Sequence, residues 1–351
     1  MTKKIWLIGG GTGGHIYPLR NLADELLHQK AEVNLILADQ TLDRKIAKDD
    51  FSDLKIHFLR TGKIRCYLSL KNISDLFLIL KAFFRARKLL KESPPDVLFF
   101  KGGFVCFPII LAAKSLRLPA KRFSHESDIS SGRFGKWLEK QCHKTFRNFD
   151  TKAPYPLFFC PRSQSKGLEK APIQIPSFPE GIQTFSNLHI LIFGGSQGAA
   201  FINLSFSSNA ETLLEKYKIT LLTGSDKKIK LKHKNFTQYE TLPAPELAEK
   251  IDDADLIISR GGANSLFEIL NAQKPSIIIP LPSVARNHQY HNAKHFADQD
   301  LCVLLEQNKQ TSEQLPKIIQ TTLENKKLQQ NLKTASIQNA ASEIAQILLS
   351  A

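Results

Sequence analysis

Residues 9–14 read GGGTGG and are followed at once by His15. A glycine-rich loop that opens a helix can turn several backbone N–H groups toward phosphate oxygens, and the helix dipole adds positive potential there. An imidazole beside such a loop titrates near neutrality and can take a proton from a hydroxyl. The spacing Gly9-x-Gly11-x-x-Gly14, with Asp39 25 residues further on, also satisfies the dinucleotide fingerprint, so a nicotinamide or flavin enzyme is an alternative. The bland alternative is a tight strand-to-helix turn, with His15 capping the helix or touching phosphate.

Four more clusters carry polar chemistry. Gly194-Gly195-Ser196-Gln197-Gly198-Ala199 is a second glycine loop, without the dinucleotide spacing but with side-chain donors for a phosphate. His125-Glu126-Ser127-Asp128 follows an apolar run, where α/β proteins place ligand groups. Arg260 through Glu268 reads RGGANSLFE, and Arg286 through Ala293 reads RNHQYHNA. Singly, each is explained by helix capping and surface hydrogen bonds. Two phosphate-type loops together suggest two phosphorylated substrates, or one diphosphate gripped from both sides. The five cysteines, at 66, 106, 142, 160 and 302, have no metal-type spacing and fit structural free thiols. Asp253-Ala254-Asp255 looks like a helix end, and no metal site is expected.

The elements that must hold these residues alternate between short β-type runs and longer helical patterns, the signature of parallel βαβ units. Ile5–Ile8, Val33–Leu37, Val97–Phe100 and Lys121–Ser124 read as strands of one sheet, with a helix from about Tyr17 to Gln29. A proline-rich stretch over 150–187 reads as a linker. The pattern then restarts, with strands at His189–Phe193, Ile219–Thr223, Leu256–Ser259 and Ser276–Ile279, and a polar helical tail from about Thr311. Each half opens with a strand, a glycine turn and a helix, so two Rossmann-like domains in tandem are expected. That agrees with a length of 351 residues, which points to two domains.

A hydrophobic share of 42% and a charged share of 23% describe a folded globular chain. Its formal charge of +15 suggests an anionic partner: nucleic acid, a membrane surface or a phosphorylated ligand. Residues 1–150 hold 27 basic and 15 acidic side chains, so most of that excess belongs to the first half. No nucleic-acid reader motif accompanies it, and nucleic acid is not expected as a partner. The apolar run before the first glycines is too short for a signal peptide, and none is long enough to span a membrane. Residues 63–91 contain eight basic side chains and one acid, Asp75. Ile73, Leu76, Phe77, Leu80 and Phe84 recur there at helical spacing, and Leu78, Ile79 and Phe83 widen the stripe. Either a buried helix with a basic end or an interfacial helix seated on anionic lipid fits this pattern. In the second case Phe77, Leu80, Phe83, Phe84, Arg85 and Lys88 are the membrane residues.

Taken in order, GGTGGHIYP at 10–18, GGF at 102–104, HESD at 125–128, GGSQGA at 194–199, SRGGANSLFE at 259–268 and HQYHNA at 288–293 resemble the MurG family of glycosyltransferases over about 290 residues. The resemblance implies the GT-B fold: two Rossmann-like domains with parallel sheets facing a cleft. It implies an acceptor- and membrane-binding domain at 1–155, a nucleotide domain at 156–333, and a C-terminal helix, 334–351, returning to the first. The implied reaction is inverting transfer of N-acetylglucosamine from UDP-N-acetylglucosamine to the 4-hydroxyl of the muramyl sugar in undecaprenyl-diphosphate-linked muramyl-peptide (lipid I). The setting is peptidoglycan synthesis at the cytoplasmic face of the bacterial plasma membrane, with no cofactor or metal. The alternative is another GT-B enzyme using a UDP-sugar, an epimerase or a transferase with a different acceptor.

By the same resemblance His15 is the candidate base, and Gly10, Gly11, Gly102 and Gly103 meet the acceptor diphosphate. The donor falls to Thr12, Gly13, Gly14, Asp128, Arg162, Ser196, Ala263, Asn264, Ser265, Glu268, His288 and Gln289. Glu268 takes the ribose hydroxyls, and His288, Gln289 and Asp128 take those of the sugar. The chain departs from the family pattern at Gly103-Phe104-Val105-Cys106-Phe107-Pro108, where Ser-Gly usually precedes the proline, and at Phe159 through Ser163, where Arg162 is a loose match.

Overall fold

The computed structural model describes residues 2–62, 71–150, 154–160, 188–195, 198–282, 284–335 and 337–351. They form two units, Met1–Phe159 with Asn339–Ala351, and Cys160–Gln338.

The first unit alternates β1 (Lys4–Gly9), α1 (Gly13–His28), β2 (Glu32–Ala38), α2 (Thr41–Asp50), β3 (Lys55–Leu59), α3 (Lys71–Glu92), β4 (Val97–Phe100), α4 (Cys106–Ser115), β5 (Lys121–Glu126), α5 (Arg133–Glu139) and β6 (Lys144–Arg147). The continuous apolar run of β1 is that of a strand covered on both faces. Successive side chains leave a strand on opposite sides. Ile5 and Leu7 therefore join Ile16 and Leu19 of α1 in one cluster, while Trp6 and Ile8 join Ala82 and Ala86 of α3 and Ile109 of α4 in another. The C-terminal helix Ala341–Ser350 belongs to this unit and buries Ile344 and Leu348 in the α1 cluster. Each such burial contributes roughly 1.5–3 kcal/mol before entropy is counted.

The six strands are all parallel, in the order β3-β2-β1-β4-β5-β6. The order reverses between β1 and β4, and a crevice opens at the carboxyl ends of the strands where that happens. The loops that follow β1 and β4 are the ones carrying Gly10 through Gly14 and Gly102-Gly103.

The second unit repeats the plan with β7 (His189–Phe193), α6 (Ala200–Ser207), α7 (Ala210–Lys216), β8 (Lys218–Leu222), β9 (Phe236–Tyr239), α8 (Ala244–Asp253), β10 (Leu256–Ser259), α9 (Ala263–Asn271), β11 (Ser276–Ile278), α10 (His288–Ala297), β12 (Val303–Leu304), α11 (Thr311–Leu323) and α12 (Lys326–Thr334). Its parallel order is β12-β11-β10-β7-β8-β9, reversing between β7 and β10. The loops after β7 and β10 hold the second glycine loop and Arg260 through Gly262. Of the expected linker at 150–187, residues 151–153 and 161–187 lie outside the described residues.

Candidate functional site

In the first unit the two glycine loops are fitted to each other. Gly10, Gly11, Gly102 and Gly103 all have positive φ, the conformation that favours glycine. A Cβ on Gly103 would fall 2.3 Å from the Gly10 carbonyl oxygen, and one on Gly102 would fall 3.1 Å from His15 Nε2. Helix α1 begins at Gly13, four residues before the start the hydrophobic pattern suggests, so His15 sits in its first turn. Glycines are poor helix formers, which hides that turn from a periodicity argument.

The His15 backbone N–H donates to Thr12 O at 3.0 Å, and its Nδ1 lies 3.1 Å from Gly10 O. With Nδ1–H donating to that carbonyl, Nε2 keeps its lone pair. The His15 pKa is lowered, first by burial and then by the Lys101 charge, with Gly10 and Asp128 pulling the other way. The ring is therefore neutral at pH 7 and able to accept a proton. The exposed Thr12 caps α1 through its backbone alone, with no side-chain capping bond.

Asp128 reaches the same edge of the sheet from the loop after β5, where its N–H donates to Glu126 Oε1 at 3.2 Å. His125 is buried, its Nε2 2.9 Å from Tyr155 O, and burial pushes its pKa well down. Its Nε2 thereby ties the end of β5 to the backbone at Tyr155. Asp39, the acid of the dinucleotide alternative, is ion-paired to Arg44 Nε at 2.6 Å, and that pairing lowers its pKa. Its carboxylate is thus already engaged.

In the second unit, Gly262 is the N-cap of α9 and brings no side chain to that end. The first-turn N–H groups of Ala263, Asn264 and Ser265 have no carbonyl partner within the helix, and no acidic side chain occupies that turn, so this terminus suits an anion. Glu268 is half-buried one turn further along, four residues after Asn264 and on the same face. The glycine loop after β7 is packed tightly: a Cβ on Gly198 would lie 2.3 Å from Thr223 O. Ser196 and Gln197 of that loop, and Arg162, lie outside the described residues.

His288 opens α10 after Arg286 and Asn287, both in the left-handed region at φ 59° and 50°. Such backbone is held only where its surroundings fix it, and it concentrates at functional sites. Gln289 Oε1 accepts from Leu281 N at 3.0 Å and its backbone carbonyl lies close to Gly261, which leaves its amide N–H groups as donors for a sugar. Asp255 of the suspected acidic motif accepts the His189 N–H at 2.8 Å, a structural use. Among the described residues no group of three His, Cys, Asp or Glu is placed to hold a metal.

The glycosyltransferase family 28 N-terminal domain matches residues 5–147, and the family 28 C-terminal domain matches residues 189–348. The UDP-N-acetylglucosamine–N-acetylmuramyl-(pentapeptide) pyrophosphoryl-undecaprenol N-acetylglucosamine transferase of Lachnoclostridium phytofermentans is 34% identical over 93% of this chain and 92% of that protein. The corresponding transferase of Staphylococcus aureus strain MRSA252 is 32% identical over 88% of each chain. A crystal structure of Acinetobacter baumannii MurG superposes with a TM-score of 0.73 at 23% identity, covering 99% of this chain and 100% of that one. The chain belongs to the MurG family.

It is accordingly a glycosyltransferase built on the GT-B fold. Two residues of this MurG-family chain that support its sites, Lys101 and Asp43, were not singled out by sequence pattern, and Arg260, the first residue of the RGGANSLFE cluster, was given no role of its own. Lys101, directly after β4, is 2% exposed and donates to Ser127 Oγ; burial lowers its pKa to about 8. Asp43 is fully buried and accepts the Gly11 N–H at 2.8 Å, fixing the first glycine loop. Arg260, 7% exposed, donates to Ile279 O at 2.9 Å, Pro280 O at 3.2 Å and Gln307 Oε1 at 2.8 Å, so it holds the loop after β11. A lysine ending the apolar run VLFF just before Gly102-Gly103 was the visible signal for the first of these.

Helix α3 divides its apolar residues. Ile73, Leu76, Phe77, Leu80 and Phe84 are between 49% and 73% exposed, while Ala82, Ala86 and Leu90 are buried. Arg85 and Lys88 are exposed with the first group. Phe83 does not belong to that stripe as the sequence suggested, because its ring packs against the core beside α4 and touches Phe84 edge-on at 5.2 Å. Among the described residues no helix is long and apolar enough to cross a membrane.

Proposed function

We propose that the chain moves N-acetylglucosamine from UDP-N-acetylglucosamine to the 4-hydroxyl of the muramyl sugar of undecaprenyl-diphosphate-linked muramyl-peptide, with inversion at the anomeric carbon. Identity of about one residue in three with the Lachnoclostridium transferase over nine-tenths of both chains supports this reading most strongly. On it, His15 Nε2 takes the proton of the attacking hydroxyl, while the backbone N–H groups of Gly10, Gly102 and Gly103 meet the acceptor diphosphate; the Gly11 N–H is held by Asp43, so Gly11 serves that site through the shape of its loop. The departing UDP is stabilised at the α9 N-terminus, where charge develops as the glycosidic bond breaks. Glu268 accepts hydrogen bonds from the ribose hydroxyls, stronger for its charge. Asp128, His288 and the Gln289 amide bind sugar hydroxyls. The scheme calls for no metal or other cofactor.

The acceptor is a lipid, and the exposed apolar stripe of α3 with its basic flank supports a peripheral seat on the anionic cytoplasmic face of the plasma membrane. Flotation with vesicles containing anionic lipid tests this. Phe77→Ser, Phe84→Ser and Arg85→Glu together should abolish co-flotation; unchanged flotation would contradict the membrane seat. Donor class is tested by isothermal titration calorimetry with UDP-N-acetylglucosamine, UDP-N-acetylgalactosamine and NADH. Calorimetry is preferred to intrinsic fluorescence because both tryptophans, Trp6 and Trp137, lie in the first unit. Preference for the first ligand is expected, and preference for either of the others would overturn the donor assignment.

A further inference from the structure

Lys101 is a buried cation that the scheme above leaves without a task. Its side chain leaves the end of β4 at the point where the strand order reverses, between the two glycine loops and the His125–Asp128 segment. Only Ser127 Oγ is its hydrogen-bond partner among the described residues, although an ammonium can donate three. Desolvating such a charge is expensive, and a core position of this size would be filled more cheaply by methionine or leucine. The retained charge therefore needs an electrostatic reason.

The groups around it narrow that reason. Glu126 and Asp128 supply attraction from the β5 loop, and His125 and the His15 ring on α1 feel its charge. His15 itself is faced by Lys101 and Asp128, with Asp43 beneath the neighbouring Gly10 and Gly11, and its ring is pressed against Gly102, the residue next to Lys101. We infer that Lys101 is a positioning residue for the candidate base: its buried positive charge adds to the effect of burial in keeping a second positive charge off the His15 ring, so that Nε2 presents a lone pair to the attacking hydroxyl. The inference rests on the proposed reaction for its purpose, and on the placement of Lys101, Ser127, Gly102 and His15 for its substance.

Lys101→Gln separates charge from shape, since the amide can still donate to Ser127 Oγ and carries no charge; Lys101→Arg keeps the charge. The direct measurement is the carbon-13 shift of His15 Cε1 against pH in full-length protein labelled at histidine, assigned by its loss in His15→Asn. The His15 midpoint should rise in Lys101→Gln, since removing a nearby like charge favours the imidazolium, and should stay at the wild-type value in Lys101→Arg. The acid limb of kcat/KM for the acceptor should move by the same amount and in the same direction, with the KM for UDP-N-acetylglucosamine unchanged. An unmoved His15 midpoint in folded Lys101→Gln would overturn the inference, as would a variant whose sole defect is a raised acceptor KM, which would make Lys101 an acceptor contact. Wild-type protein that fails to transfer sugar would end the proposed reaction instead, while the titration would still decide the role of Lys101.

Discussion

Replacing Gly103 with alanine tests the interlocking of the two glycine loops. The new Cβ would stand 2.3 Å from Gly10 O and 3.2 Å from Gly10 C, both backbone atoms, at a φ of +88°. Restoring ordinary contact needs about 1 Å of loop displacement. The left-handed conformation costs an alanine about 1–2 kcal/mol, and forcing atoms into a packed site about 1–3 kcal/mol. Together these amount to about 2–5 kcal/mol, a large share of a domain's net stability. For a unit of this size that lowers Tm by about 5–20 °C in scanning calorimetry. A displacement of about 1 Å beside the candidate base should also lower transfer turnover by about 100-fold. UDP affinity should not change, because Gly103 belongs to the first unit. Gly132→Ser is the control: its Cβ would meet nothing within 4 Å, its φ is −65°, and serine is a good N-cap for α5, so Tm should hold. Wild-type Tm and turnover in Gly103→Ala would refute the claim that the two loops are mutually fitted.

Three further outcomes follow from single residues. Arg260→Met leaves the Ile279, Pro280 and Gln307 acceptors without their donor and should cost about 2–4 kcal/mol by urea unfolding. All three bonds leave one nitrogen, Nη1, so Arg260→Lys, with three donors on one nitrogen at the end of a shorter side chain, should recover part of it. Burial, then the Asp49 charge, raises the Asp50 pKa to about 6. The folded state thus holds a proton that the unfolded chain has released, and stability falls as pH rises from about 4 to 6. Asp50→Asn should match wild type at pH 4 and exceed it at pH 7 by about 1 kcal/mol, a figure reduced for solvent screening at this half-exposed site; equal stability at both pH values would contradict the assignment. Glu268→Gln exchanges a charged acceptor for a neutral one, and calorimetry should show UDP binding weakened about tenfold.

The central strands were legible in the sequence because both their faces are buried, so each contains an unbroken apolar run: Ile5–Ile8, Val97–Phe100, Ile190–Phe193 and Leu256–Ile258. The strands that sequence pattern did not place are β3, β6, β9 and β12, which are the four sheet edges. Their residues are mostly half-buried, as in KIHFL of β3 and FTQY of β9, so neither a continuous run nor a clean alternation marks them. The glycine loops were legible for a related reason. Positive φ and backbone approaches near 2.3 Å admit little but glycine, and that requirement shows as composition.

Residues that act from beneath a site were not legible. Asp43 looks like an ordinary surface charge in the sequence, and the place of Lys101 at the end of VLFF hints at a site without giving its role; their burial under the loops does that. Phe83 was misplaced for the converse reason: a helical stripe of Leu, Ile and Phe does not say which edge turns inward, and the packing of α3 beside α4 decides it.

The most direct test of the proposed function is the transfer of radiolabelled N-acetylglucosamine from UDP-N-acetylglucosamine to a lipid I analogue in vesicles, with His15→Ala and Glu268→Ala alongside. A labelled disaccharide on the lipid is expected, with turnover largely lost in His15→Ala and the donor KM raised in Glu268→Ala. Binding of UDP-N-acetylglucosamine with no label on the lipid, or with conversion of the sugar to an epimer, would contradict it.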